Sequence, residues 1–172
     1  MRKETKRVVY ASVIAVLYVV LTHFQNILLP GSATWAIQMR LSEALGILCF
    51  FTPWAVPGLT VGCLLFNLTY AAALPLDIVI GSLATFLASQ GMWMTRNLKI
   101  MRIPLLGLLL PALTNALLVG WELSVYIGGA FAVNAVYVAL GEVIVMLTFG
   151  LVLYLLMKKR GLHKRFFPEF NS

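Results

Sequence analysis

The sequence predicts an all-α, polytopic membrane protein, and three observations carry that reading. Hydrophobic residues make up 61% of the 172 and charged residues only 11%, against roughly 25% charged in a soluble domain. The apolar residues run in long blocks rather than at amphipathic spacing, which suits helices in lipid. Twelve of the thirteen Lys and Arg residues fall in three clusters, at 2–7, 96–102 and 158–165, between those blocks.

Six spans follow in order within a single domain, 1–172. The first covers about 8–29; its basic start and roughly twenty-residue apolar run exceed a signal h-region. It carries Ala11 and Ala15 at small-xxx-small spacing, which lets another helix approach closely. Pro30, Gly31 and Ser32 open a turn. The second span, about 35–51, contains Gln38, Arg40 and Glu43. A short break at 52–58, marked by Pro53 and Pro57, leads into a third span, about 56–73, with Asn67 in its second half. The fourth, about 76–95, opens on Asp77 and includes the small-residue run Gly81-Ser82-Leu83-Ala84. A basic loop at 96–102 precedes the fifth, about 103–119, with Pro111 and Asn115. A longer loop at 120–129 holds Trp121, Glu122 and Tyr126. The sixth, about 130–157, carries Asn134, Tyr137 and Glu142, and a basic tail follows.

Lys and Arg concentrate in cytoplasmic loops. Six spans put all three basic clusters on one face, with both termini cytoplasmic; five or seven would split them. The +7 formal charge therefore reads as membrane topology. A nucleic-acid partner needs a basic face on a folded domain, and none is available. Cys49 and Cys63 sit in apolar segments, so a disulfide framework is not expected.

Arg40 is the basic residue outside the clusters. A charge near a helix centre costs about 2.5–3.5 kcal/mol on insertion scales, so it marks a functional hypothesis. The topology puts Arg40, Glu43, Asn67, Asp77, Asn115 and Asn134 in the outer half of the bundle, Glu122 in an outer loop and Glu142 nearer the midplane. Together they suggest an outward-facing polar pocket for a small molecule. Plainer readings stand beside this one. Arg40 and Glu43, three apart on one helix face, can simply pair. Asp77 can serve only as an acid near a helix N-terminus. The three asparagines can be interhelical hydrogen-bond residues, and Trp35, Trp121 and Tyr126 can be interfacial aromatics. Glu142 is harder to dismiss: a lone carboxylate near the midplane needs a partner, either Arg40 or a ligand amine. The two histidines, His23 and His163, make no metal or catalytic set, and no phosphate-loop, HExxH or GxSxG motif is present. No catalytic residue, cofactor or metal is expected.

The blocks Gln38-Met39-Arg40-Leu41-Ser42-Glu43-Ala44-Leu45, Ala55-Val56-Pro57-Gly58-Leu59-Thr60-Val61-Gly62-Cys63 and Leu76-Asp77-Ile78-Val79-Ile80-Gly81-Ser82-Leu83-Ala84-Thr85 resemble the QueT family. Those proteins are substrate-binding S components of energy-coupling factor (ECF) transporters, associated with uptake of queuosine precursors. The resemblance implies a subunit of the bacterial cytoplasmic membrane that captures a 7-deazaguanine such as preQ1 or queuine from outside. It would then associate with a transmembrane coupling protein and two cytoplasmic ATPase subunits, so ATP hydrolysis would lie on the partners. Ala11 and Ala15 are similar to the small-residue motif by which S components dock on that coupling protein. The shared motifs mark Gln38, Arg40, Glu43 and Asp77 as substrate contacts, and Asn67, Asn115, Trp121, Asn134, Tyr137 and Glu142 complete the candidate set. The chemistry is compatible: a carboxylate accepts the paired N–H donors of the base, a carbonyl wants Arg, Gln or Asn, a cationic aminomethyl group favours a second carboxylate, and the ring can stack on an aromatic. A small secondary transporter using Glu142, or an S component for another vitamin-like molecule, remains the alternative.

Overall fold

In the computed structural model, residues 3–30, 32, 39–70 and 73–168 are described. Helix α1 (Lys3–Leu28) leads to a 3₁₀ helix (Leu41–Phe50), then α2 (Ala55–Thr69). A short 3₁₀ turn (Pro75–Ile78) feeds α3 (Ile80–Met94), followed by α4 (Leu105–Tyr126) and α5 (Phe131–Val145). A π-turn (Met146–Gly150) joins α5 to α6 (Leu151–Lys159), and a short α7 (Leu162–Phe166) ends the chain's helical part.

Six apolar helical segments thus occur where six spans were expected, but they are unequal. Four are long and apolar enough to cross a membrane: Glu4–Leu28, Pro75–Met94, Leu105–Tyr126 and Phe131–Lys159. The second segment departs most from expectation. It is a 3₁₀ helix of ten residues, where such helices seldom exceed three or four. Its rise of about 2 Å per residue stretches ten residues over about 20 Å. Helix α2, with 15 residues, covers about 22 Å, also short of a full crossing.

Burial explains why so short a segment is tolerated. Every residue from Ser42 to Cys49 is buried, and the 3₁₀ helix packs on α1, α2, α3, α5 and α6. It is the axis of the bundle, apolar apart from Ser42 and Glu43 near its start, as befits a helix with no solvent face. Around it the neighbours pack in chain order, α1 on α2, α2 on α3, α3 on α4 and α4 on α5.

Glycines set two of those approaches. A Cβ on Gly58 would sit 2.7 Å from the Ala11 carbonyl oxygen, and one on Gly62 would sit 3.0 Å from that of Ala15. The Ala11–Ala15 pair therefore serves helix approach, but the helix it meets is this chain's own α2. Ala15 is 5% exposed, while Ala11 keeps part of its surface open. The outer flank of α1, with Val13, Val16 and Val20, is exposed instead.

The sequence also misplaced one loop. Residues 120–126, expected as a loop, continue α4 as helix to Tyr126. Gly120 sits where α5 comes closest: a Cβ there would lie 2.8 Å from the Ala135 Cα and force α5 away.

The outside of the bundle is apolar. Leu65, Leu83, Leu113, Leu117, Val136, Leu140 and Ile144 are all exposed, a surface that water would not tolerate but lipid does. Contacts bring the three basic clusters to one end. Arg7 lies over the Trp54 ring at 5.1 Å, Tyr10 meets Phe167 at 5.5 Å, and Phe51 meets His163 at 5.2 Å. Phe50 fills the space beside Gly107 and Thr95, next to the basic loop.

Candidate functional site

The polar interior begins with a stripe on α1. Tyr18, Thr22, Gln25 and Asn26 are buried at spacing i, i+4, i+7, i+8, which keeps them on one helix face. Gln25 organises the chain around Arg40. Its side-chain amide donates to Ser32 Oγ at 2.8 Å and to the Met39 carbonyl, and its Oε1 accepts the Leu41 N–H at 2.7 Å. The backbone on both sides of Arg40 is thereby tied to α1. Arg40 itself is extended (φ −93°, ψ 105°), which leads its side chain away from the 3₁₀ helix that follows.

Its guanidinium meets Asp77. Nη2 lies 3.2 Å from Asp77 Oδ2, with both side chains buried. Nη1 approaches Cys63 Sγ at 3.7 Å, and the group sits 5.9 Å from the centre of the Phe66 ring. Asp77 is held from behind: Asn67 Nδ2 donates to its backbone carbonyl at 2.7 Å. Gly81 leaves the carboxylate its room, since a Cβ there would be 2.7 Å from Asp77 Oδ1. The reading of Asp77 as only a helix-start acid gives way, because its carboxylate makes the buried ion pair.

Glu43 does not pair directly with Arg40 as helix spacing allowed. Its Oε1 accepts the Tyr18 hydroxyl at 2.5 Å, and the adjacent Ser42 hydroxyl accepts that of Thr22 at 2.7 Å. The reason is local geometry: Arg40 is outside the helix that contains Glu43, so the i, i+3 relationship does not apply. Glu142 receives Asn115 Nδ2 on Oε1 at 2.9 Å. This fulfils the interhelical reading of Asn115 and supplies part of the partner Glu142 needed.

Glu122, expected in an outer loop, is 0% exposed within α4. Both Glu122 oxygens and Asp77 Oδ1 are buried with no hydrogen-bond partner among the described residues. Glu142 Oε2, Asn67 Oδ1 and Ser82 Oγ are likewise buried without a partner. Buried polar groups are rarely left so.

The structure brings together Arg40, Glu43, Asn67, Asp77, Asn115 and Glu142 from the expected set. It does not bring in Trp121, Tyr137 or Asn134. Trp121 is 48% and Tyr137 42% exposed on the bundle's outer surface. Successive helical residues point about 100° apart, so Trp121 turns outward where Glu122 turns inward, and Tyr137 is displaced likewise from the buried Val138. Asn134 donates to the Gly128 carbonyl at 3.0 Å and stabilises the α4–α5 turn. Gln38 lies outside the described residues. Sequence reasoning missed Tyr18, Thr22, Gln25 and Ser42, the first three detectable as a polar stripe in an otherwise apolar span, and it placed Glu122 in a loop rather than in α4.

An apolar exterior around an interior cluster of charged and polar side chains places the chain among membrane transporters for small polar solutes. The description "QueT transporter" matches residues 8–159, and the chain belongs to that family. Neither a curated protein nor a solved structure gives a match.

Proposed function

We propose that the chain is the substrate-binding S component of an ECF transporter, importing a queuosine precursor, a 7-deazaguanine such as preQ1 or queuine, across the bacterial cytoplasmic membrane. One observation carries the reading: oxygen acceptors of Asn67, Asp77, Glu122 and Glu142 are buried in the helical interior without a donor. A 7-deazaguanine presents N1–H, an exocyclic amine and, in preQ1, an ammonium, and these are the donors such a site lacks. Arg40 offers N–H groups to the ring carbonyl, with Asp77 holding it in place. Glu43, Glu142, Asn67 and Asn115, each from a different element of the bundle, are the remaining polar contacts.

The orientation that suits this role puts the basic end in the cytoplasm and the Arg40–Asp77 region towards the outside. Energy would come from a transmembrane coupling protein and two cytoplasmic ATPase subunits. With Ala15 buried against α2, the coupling protein would meet the exposed flank of α1 at Ser12, Val13, Val16 and Leu17.

Equilibrium binding to the purified chain tests the substrate. A 7-deazaguanine should bind more tightly than riboflavin or thiamine, and the reverse order removes the assignment. Proteoliposomes test the energetics. Uptake should require the coupling protein and ATPases; gradient-driven uptake by this chain alone would identify a secondary transporter instead.

A further inference from the structure

Glu142 is 2% exposed on α5, and its two carboxylate oxygens differ. Oε1 accepts Asn115 Nδ2 from α4 at 2.9 Å. Oε2 is buried and has no partner. Among the described residues Arg40 is the Lys or Arg buried in the bundle, and its ion pair is with Asp77. Glu142 therefore has one neutral donor and no ion pair among the described residues. A buried carboxylate in that state is costly unless further donors reach it.

The other buried acids differ from it. Asp77 spends Oδ2 on Arg40 at 3.2 Å. Glu43 Oε1 accepts the Tyr18 hydroxyl, and no Glu43 oxygen is buried without a donor. Glu122 has no hydrogen bond that orients either oxygen. Glu142 alone combines an oxygen fixed by a neighbouring helix with a second oxygen left open. Its backbone is also irregular: the π-turn Met146–Gly150 begins one turn after it, and such turns are frequent at functional sites.

A carboxylate accepts through both oxygens, with two lone-pair directions on each. Asn115 takes one direction on Oε1, so Oε1 can still accept once and Oε2 twice. A 7-deazaguanine presents N1–H and an exocyclic amine side by side. These meet the two oxygens of one carboxylate as the parallel N–H groups of an arginine do. A base without the amine supplies one N–H and leaves Oε2 unfilled, and a buried site built for a donor rejects the analogue that lacks it.

We propose that Glu142, oriented by Asn115, accepts N1–H and the exocyclic amine, and is the residue by which the protein selects a base that carries this amine over one that lacks it. This rests on the substrate class proposed above. Within it, Arg40 takes the ring carbonyl and Glu142 takes the paired donors.

The test is calorimetric binding to the full chain in detergent, with 7-deazaguanine and 7-deazahypoxanthine, its analogue without the amine, as probes. The wild type should bind 7-deazaguanine at least ten-fold more tightly. Glu142→Gln keeps the shape but replaces one acceptor with a donor, and the preference should fall below three-fold. Asn115→Leu removes the orienting donor and should lower the preference at least three-fold. The ratio of two probes on one protein is insensitive to a general loss of folded material, and thermal unfolding reports folding separately. If Glu142→Gln does not fold, Asn115→Leu decides. Glu43→Gln should weaken both probes alike. A preference unchanged in Glu142→Gln or, where that variant does not fold, in Asn115→Leu overturns the assignment, as does one lost in Glu43→Gln but kept in Glu142→Gln. Wild-type binding of both probes without preference overturns the assignment and leaves the substrate class standing. Binding of neither probe overturns the substrate class and the assignment with it.

Discussion

The Arg40 guanidinium reaches Asp77, 37 residues further along the chain, at 3.2 Å inside the bundle. This ion pair ties the start of the central 3₁₀ helix to the start of α3. Removing one partner of a buried pair leaves an uncompensated charge and typically costs about 3–5 kcal/mol. Arg40→Met should therefore lower the thermal unfolding temperature markedly and abolish ligand binding. The double variant Arg40→Met with Asp77→Leu should recover much of the stability and none of the binding. Unfolding followed in detergent, beside calorimetry, separates the two effects.

Gly81 predicts a site defect with little else attached. In Gly81→Ala the new Cβ would stand 2.7 Å from Asp77 Oδ1 and 3.1 Å from Asn67 Nδ2. Overpacking of this kind costs about 1–3 kcal/mol. Asp77 must move, so affinity should drop by about ten-fold or more, while helical content by circular dichroism stays that of the wild type.

Tyr18→Phe removes the hydroxyl that donates to Glu43 and leaves a buried carboxylate oxygen without its donor. Such a loss costs about 1–3 kcal/mol. Both stability and ligand affinity should fall, and Thr22→Val, which breaks the neighbouring bond to Ser42, should have a smaller effect in the same direction.

Helix α1 has two flanks with different expected behaviour. Ala15→Leu pushes a larger side chain into the α1–α2 contact and should destabilise the isolated chain by about 1–3 kcal/mol. Val16, exposed on the other flank, should tolerate Val16→Trp with unchanged unfolding and ligand binding. If the exposed flank is where the coupling protein sits, Val16→Trp should reduce co-purification with it.

Trp121 and Tyr137 supply the converse expectation. Both are exposed on the outer surface, so Trp121→Ala and Tyr137→Phe should leave ligand affinity within about two-fold of wild type by the same calorimetry; single exposed substitutions change stability by only about 0.5 kcal/mol.

Composition and the blocks of apolar residues were sufficient for the all-α membrane class, because a chain in lipid must satisfy its backbone internally and helices do so segment by segment. The ordering of six apolar segments was legible for the same reason, as was the unusual status of Arg40, Glu43, Asp77 and Glu142: an ionisable residue in such a segment stands out without any structure. Span length was not legible for the second segment. Whether residues 41–50 form an α-helix or a longer-rise 3₁₀ helix depends on packing against five surrounding helices, which no local pattern encodes. Glu122 was misread because Gly120, Trp121 and Glu122 interrupt the hydropathy; in the folded chain Gly120 instead admits α5, and the helix continues. The partners were beyond reach for a more general reason. Tyr18 and Glu43 are 25 residues apart, Asn115 and Glu142 are 27, and Arg40 and Asp77 are 37. A sequence states which polar side chains must be buried, since their segments are apolar. Which of them meet depends on the rotation of each helix about its axis, and that is decided when the helices pack and their glycines, Gly58, Gly62, Gly81 and Gly120, set how closely they can approach.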